Sequence, residues 1–243
     1  MSSKDYESEY ELLQPWSSFI LKTKLPKRIL ERMLKLTDEI VNNSKSKNHG
    51  PTLAGQIKWE PTIDIDLVKK MGIIDYFYRT IAQYCMRTHL QTYPFDYDEV
   101  PPLTEYIINE MWIISQKDNE YNPLHRHMGC NLSSVMYLKV PEFLPARKQR
   151  EDLDGNICFH SSPMHPDGVF GHIGRISMKP KVGDFYLFPA EQMHEVYPFR
   201  TADGKGERRS VSFNVICSRN QEEFDKWEKD NRGDNFIKKT KKY

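Results

Sequence analysis

The sequence offers no pair of cysteines placed to share a metal or a redox centre. Its 4 cysteines, Cys85, Cys130, Cys158 and Cys217, are isolated, and none falls in a Cys-x-x-Cys motif. With no secretory leader at the start, thiols so scattered are expected to stay reduced, as in a soluble, intracellular, cytoplasmic protein. No apolar run approaches the roughly 20 residues that a membrane-spanning helix needs, so no membrane partner is expected. Neither sign of charge dominates: 35 Lys and Arg face 34 Asp and Glu, a net charge of +1. That balance argues against a general nucleic-acid or polyanion binder. The basic run Lys238-Lys239-Thr240-Lys241-Lys242 reads as a frayed, solvated tail. No internal repeat or low-complexity linker divides the chain, so its 243 residues are expected to form a single domain.

What is present changes period part-way along. Residues 1–11 are polar and acidic and are expected to be disordered. Ser17 to Thr23 suits a short strand. Pro26 then suits a first helical turn, and Ile29, Leu30, Met33, Leu36 and Ile40 recur at helical spacing, which predicts an amphipathic helix to about Val41. Ile73 to Leu90 predicts a second helix, so residues 12–103 read as a helical cover. From Thr104 the pattern is that of strands: a long run at Tyr106 to Ile114, then Leu132 to Val140, Asn156 to His160, His172 to Met178, Asp184 to Phe188, Met193 to Tyr197 and Arg208 to Cys217. Helices followed by seven or eight short strands predict a mainly β architecture over residues 104–218, a sandwich or jelly roll covered by helices on one face. Residues 219–243 are expected to hold a terminal helix, Asn220 to Asn231 with Phe224 and Trp227 as anchors, and the basic tail.

The segment from Lys181 to Asn214 carries the most chemistry. Gly183-Asp184 opens an aromatic strand that Pro189 ends, and His194 starts the next. The connector Thr201-Ala202-Asp203-Gly204-Lys205-Gly206 has the Asp-Gly signal of a tight turn. The last strand alternates. Arg208, Ser210, Ser212 and Asn214 fall on one face, and Val211, Phe213 and Val215 on the other. The apolar set is expected to lie under the helices, leaving the polar set in the space between two sheets. A guanidinium and hydroxyls there form a grip for a carboxylate. Arg209 points the opposite way in this register and is expected outside the pocket.

Upstream, Asn122-Pro123-Leu124-His125-Arg126-His127 precedes the strand LSSVMYLKV. In extended chain the two imidazoles of His125 and His127 point the same way, as two ligands of one metal require. A His-x-His motif among 8 histidines decides little alone, and neither does His194. The order does: His-x-His, several strands, Gly-Asp-aromatic strand, His194, then Arg208-x-Ser210.

In that order the chain resembles the iron(II)- and 2-oxoglutarate-dependent oxygenases, above all their phage and bacterial branch related to prolyl hydroxylases. The resemblance is densest over Asn122 to Val140 and Gly183 to Asn214. It implies a double-stranded β-helix, the cupin-like jelly roll. It also implies His125, His127 and His194 as ligands of Fe(II), Arg208 pairing with the distal carboxylate of 2-oxoglutarate, and Ser210 hydrogen-bonding beside it. Tyr137 shares a face with Ser133 and Val135 and reads equally as a co-substrate contact or as a core tyrosine with a bonded hydroxyl. The activity implied is a dioxygenase, a hydroxylase that converts 2-oxoglutarate and O2 to succinate and CO2 while oxidising an unidentified substrate, a protein side chain or a small molecule. If encoded by a phage, it would act in the host cytoplasm.

His127 stands where the family's triad usually has a carboxylate, which leaves the site one negative charge short. Three histidines also suit catalytic zinc, so a zinc hydrolase is one alternative, and a non-catalytic metal-binding jelly-roll module is another. A hydrolase has no need of a dicarboxylate clamp, and a retired enzyme has no physical reason to keep a buried guanidinium without its anion. The loop His160 to Gly168, with His172, reads as a substrate-facing lid or plain connector in preference to a second metal site. Asp118 to Tyr121 is expected to flank the same opening.

Overall fold

The strand with the alternating arginine and hydroxyl face is buried along its whole length, which requires a layer on each side of it. The computed structural model describes residues 9–13, 18–92, 103–145, 152–161 and 174–230. In chain order its elements are β1 (Tyr10–Leu13), β2 (Ile20–Lys24), α1 (Lys27–Val41), a 3-10 turn (Gly50–Thr52), α2 (Ile65–Lys70), α3 (Ile74–Thr92), β3 (Glu105–Gln116), β4 (Asn122–His125), β5 (Leu132–Lys139), β6 (Ile157–His160), β7 (Arg175–Met178), β8 (Asp184–Pro189), β9 (His194–Val196), β10 (Arg208–Ser218) and α4 (Gln221–Asp230).

Two antiparallel sheets form: six strands in the order β1-β2-β8-β5-β10-β3, and four in the order β4-β9-β6-β7. Period-2 alternation divides the large sheet into two faces. Val211, Phe213, Val215, Met136, Leu138, Phe185 and Leu187 pack with Ile29, Met33 and Leu36 of α1 and Phe77, Ile81 and Tyr84 of α3. The other face supplies Ile20, Val135, Tyr137, Tyr186 and Phe188, which meet Ile157, Phe159 and Val196 of the small sheet. This is the double-stranded β-helix with helices on one face that the resemblance implied.

The N-terminal expectation needs correction. Tyr10 and Glu11, expected in a disordered stretch, pair with Thr23 and Lys22 in β1–β2, and Leu21 of β2 pairs with Leu187 of β8. The region read as a helical cover therefore contributes two strands to the large sheet. Residues 59–63 extend that sheet at its other edge, where Ile113 N–H donates to Pro61 O (2.9 Å) and Ile63 N–H to Met111 O (2.8 Å). Helix α4 matches the expected terminal helix, with Phe224 buried. The side chain of Trp227, most of the His160–His172 loop and the basic tail lie outside the described residues. Among the described residues no helix is long and apolar enough to cross a membrane.

Candidate functional site

His125 ends β4 and His194 begins β9, and the two face each other directly in the antiparallel pair. His127 lies two residues past the end of β4, where its backbone N–H donates to Ala190 O (2.9 Å). The three rings nevertheless converge. One nitrogen from each lies within 4.8 Å of those from the others, and ring centres stand 4.2 Å (His125–His194), 5.2 Å (His127–His194) and 5.4 Å (His125–His127) apart.

Backbone carbonyls orient two of the rings. Nδ1 of His125 lies 2.7 Å from Pro123 O, and Nδ1 of His194 lies 2.8 Å from Gln192 O. A carbonyl can only accept, so each Nδ1 carries the proton and each Nε2 keeps its lone pair free for a cation. Burial lowers the pKa of all three. His125 is pushed down chiefly by desolvation, His127 to about 3 by desolvation with His125 adding to it, and the buried His194 well below the usual value. Neutral imidazoles packed this closely suit a metal and repel protons.

Arg208 sits on the face of β10 that looks into the space between the sheets, where the alternation placed it. It is 1% exposed. Its NH1 donates to Gly155 O (2.6 Å), its guanidinium carbon stands 5.5 Å from the centre of the Tyr137 ring, and its Nε has no partner. Burial acts against its charge. The Tyr137 hydroxyl is also buried without a protein partner, and burial pushes its pKa up to about 12. Ser133 Oγ and Asn214 Oδ1, opposite each other across β5 and β10, are orphaned on the same face. Gln116 Oε1, on the residue facing Arg208 across β3, is orphaned too. Ser210 is buried on that face, opposite Tyr137 and Ile114.

Orphaned buried polar atoms cost about 1–3 kcal/mol each, and so many along one face mark it as a place for a polar ligand. The unpaired guanidinium makes that ligand an anion. An aromatic wall joins the two ends of the space. Tyr137 contacts Tyr186, Tyr186 contacts Phe159, and Phe159 and Phe188 both contact His194. Three neutral imidazoles at one end and a buried cation at the other fit a metal chelated by a dicarboxylic oxo acid.

Sequence reasoning found the imidazoles, Arg208, Ser210 and Tyr137, and placed Asn214 on the correct face. It put Ser133 on the face of Tyr137 without giving it a role, and it missed Gln116 and the carbonyls of Pro123, Gln192 and Gly155, which register and backbone path decide. Asp118 to Tyr121 form a tight turn in which Asp118 accepts from the N–H and hydroxyl of Thr201 (2.7 and 2.9 Å), while Tyr121 is exposed.

Residues 110–214 match the family model described as "Putative 2OG-Fe(II) oxygenase". No curated protein matches the sequence significantly. Among solved structures, a prolyl-4-hydroxylase from Pseudomonas putida is 17% identical, with 81% of this chain and 91% of that one covered at a TM-score of 0.47. A viral collagen prolyl hydroxylase from Paramecium Bursaria Chlorella virus-1 is 14% identical, with 85% and 94% covered and a TM-score of 0.45. HygX from Streptomyces hygroscopicus, solved with nickel, 2-oxoglutarate and hygromycin B, is 11% identical, with 81% and 82% covered and a TM-score of 0.47. The stretch matched by the family model contains all three histidines, Tyr137 and Arg208. Over that stretch the chain matches the family's model, and iron(II) and 2-oxoglutarate are the metal and co-substrate that go with that family.

Proposed function

We propose that this oxygenase is a hydroxylase in which His125, His127 and His194 hold iron(II), and Arg208, with Tyr137 and Ser210 beside it, anchors 2-oxoglutarate. The observation that carries the reading is the buried guanidinium of Arg208, with a free Nε, in the same inter-sheet space as three converging neutral imidazoles. Bound iron(II) and 2-oxoglutarate supply the oxidation: O2 and the oxo acid become succinate and CO2, and one oxygen atom enters a C–H bond of the substrate as a hydroxyl.

The protein's own residues bind and orient. Pro123 O and Gln192 O fix two imidazole tautomers, so ligand lone pairs point at one place before any metal arrives. Arg208 donates from its free Nε to the far carboxylate of the co-substrate, a charge-assisted contact in a dry site. The Tyr137 hydroxyl, protonated at neutral pH, donates beside it. Phe159, Phe188 and Tyr186 wall the space and exclude water that would compete for the metal's open positions. A zinc hydrolase would use the imidazoles and leave Arg208 and Tyr137 without a role.

Succinate formation from 2-oxoglutarate, with iron(II) and oxygen and no added substrate, tests the assignment. Slow turnover that needs iron and is lost in Arg208→Ala supports it. No succinate, together with no thermal protection by manganese plus 2-oxoglutarate, would instead favour a non-catalytic jelly-roll module.

A further inference from the structure

Two adjacent, chemically identical arginines begin β10, yet they end in opposite environments. Arg208 is buried between the sheets, where its NH1 donates to Gly155 O. Arg209 is buried on the helix side and held from several directions. Its Nε and NH2 each donate to an oxygen of Glu207 (both 2.8 Å). Its NH1 donates to Asp38 Oδ1 (2.6 Å) and reaches Thr37 Oγ1 (3.4 Å), both on α1. The acceptors are themselves held. Ser115 Oγ donates to Glu207 Oε1 (2.7 Å), and Lys139 Nζ to Asp38 Oδ1 (2.5 Å).

This clamp stands where β10 loses its regular pairing on the β5 side, while on the β3 side Arg208 and Arg209 stay opposite Gln116 and Ser115. The β10–β5 register shifts between Arg209 and Ser210, because Arg209 faces Lys139 while Ser210 faces Tyr137 and Leu138 is skipped. The apolar face of Val211, Phe213 and Val215 fixes the strand beyond that irregularity, whereas the two arginines before it are held by pairing with β3 and by the clamp. A local one-residue slip there would exchange the arginines between cavity and cover.

The geometry points to Arg209 as a positioning residue: its ion pairs with Glu207 and Asp38 lock the start of β10 so that Arg208, not Arg209, faces the co-substrate cavity. This rests on the assignment of Arg208 to 2-oxoglutarate. The ion pairs supply what a repeat of two arginines lacks, a difference between the two faces, since Glu207 and Asp38 meet Arg209 on the cover side.

The test compares 2-oxoglutarate with oxalate, which chelates a metal through adjacent oxygens but has no distant carboxylate for Arg208. Calorimetric affinities are measured on the manganese-loaded, full-length protein carrying Arg209→Met, Asp38→Asn or Arg208→Ala. The expected result is a loss of about tenfold in 2-oxoglutarate affinity for Arg209→Met and a smaller loss for Asp38→Asn, with oxalate affinity unchanged in both. Asp38 is half exposed, so its variant remains a test even if Arg209→Met fails to fold. Equal weakening of both ligands in the folded variants, or no weakening in Asp38→Asn and Arg209→Met, overturns the inference while Arg208→Ala still loses 2-oxoglutarate. If Arg208→Ala itself keeps full 2-oxoglutarate affinity, the assignment beneath the inference fails instead.

Discussion

The guanidinium carbon of Arg208 lies 5.5 Å from the centre of the Tyr137 ring, and neither Arg208 Nε nor the Tyr137 hydroxyl has a hydrogen-bond partner. Two unsatisfied donors side by side in a dry space are destabilising for the empty protein and useful to a bound carboxylate. Stability and affinity should therefore move in opposite directions when either donor is removed.

Tyr137→Phe tests this on the milder partner. It removes the orphaned hydroxyl and keeps the ring against Arg208 and Tyr186. Thermal stability of the ligand-free protein is expected to hold or to rise by up to about 1 kcal/mol, while 2-oxoglutarate affinity falls by about three- to tenfold. Denaturant unfolding and calorimetry on the same preparation read both quantities.

Gly155 gives a second test, at the carbonyl that holds Arg208. Its φ is +73°, and a Cβ there would stand 2.3 Å from the Phe143 ring, which is itself stacked on Phe199 at 4.8 Å. Gly155→Ala is expected to cost about 1–3 kcal/mol of stability. By moving the acceptor of Arg208, it should also weaken 2-oxoglutarate binding. Unfolding midpoints and the same titration check the pair of effects.

Glu60 sets a pH dependence away from the histidines. It is 1% exposed, with Oε2 unpartnered, and burial pushes its pKa from 4.5 up to about 7, His49 opposing and Glu120 adding to the rise. A carboxyl whose pKa is higher folded than unfolded favours folding fully below 4.5. That favour is lost as the pH rises through 7. Glu60→Gln should thus gain stability relative to the parent at pH 8, by at most about 3 kcal/mol, and gain little at pH 5. Urea midpoints at the two pH values measure it; a difference independent of pH would contradict the burial argument.

Much of this was legible in the sequence because it follows from period. Alternation along β10 sorted Arg208 from Arg209 and Val211 from Ser212, and both assignments hold in the structure. The spacing of Ile29, Met33 and Leu36 gave α1 its buried face. Convergence of the histidines was legible from motif order and resemblance; the spacing argument for His125 and His127 reached the same pair although His127 has left the strand. What stayed hidden depends on partners far along the chain. The strand YELL begins in a stretch expected to be disordered and becomes sheet only by pairing with β2, while the strand expected near Ser17 to Thr23 gave no sign that it would join β8. Gln116 shares the face of Arg208 through register, and Gly155 reaches Arg208 through a loop whose course no local pattern encodes.

The central claim is that metal and co-substrate share one cavity, each held by its own residues. Its most direct test is a calorimetric titration of manganese, then 2-oxoglutarate, into the parent, His194→Ala and Arg208→Ala proteins. His194→Ala should lose the metal and with it tight 2-oxoglutarate binding. Arg208→Ala should keep the metal and lose about a hundredfold in 2-oxoglutarate affinity, near 3 kcal/mol. Metal binding that survives His194→Ala, or 2-oxoglutarate affinity untouched by Arg208→Ala, would contradict the account.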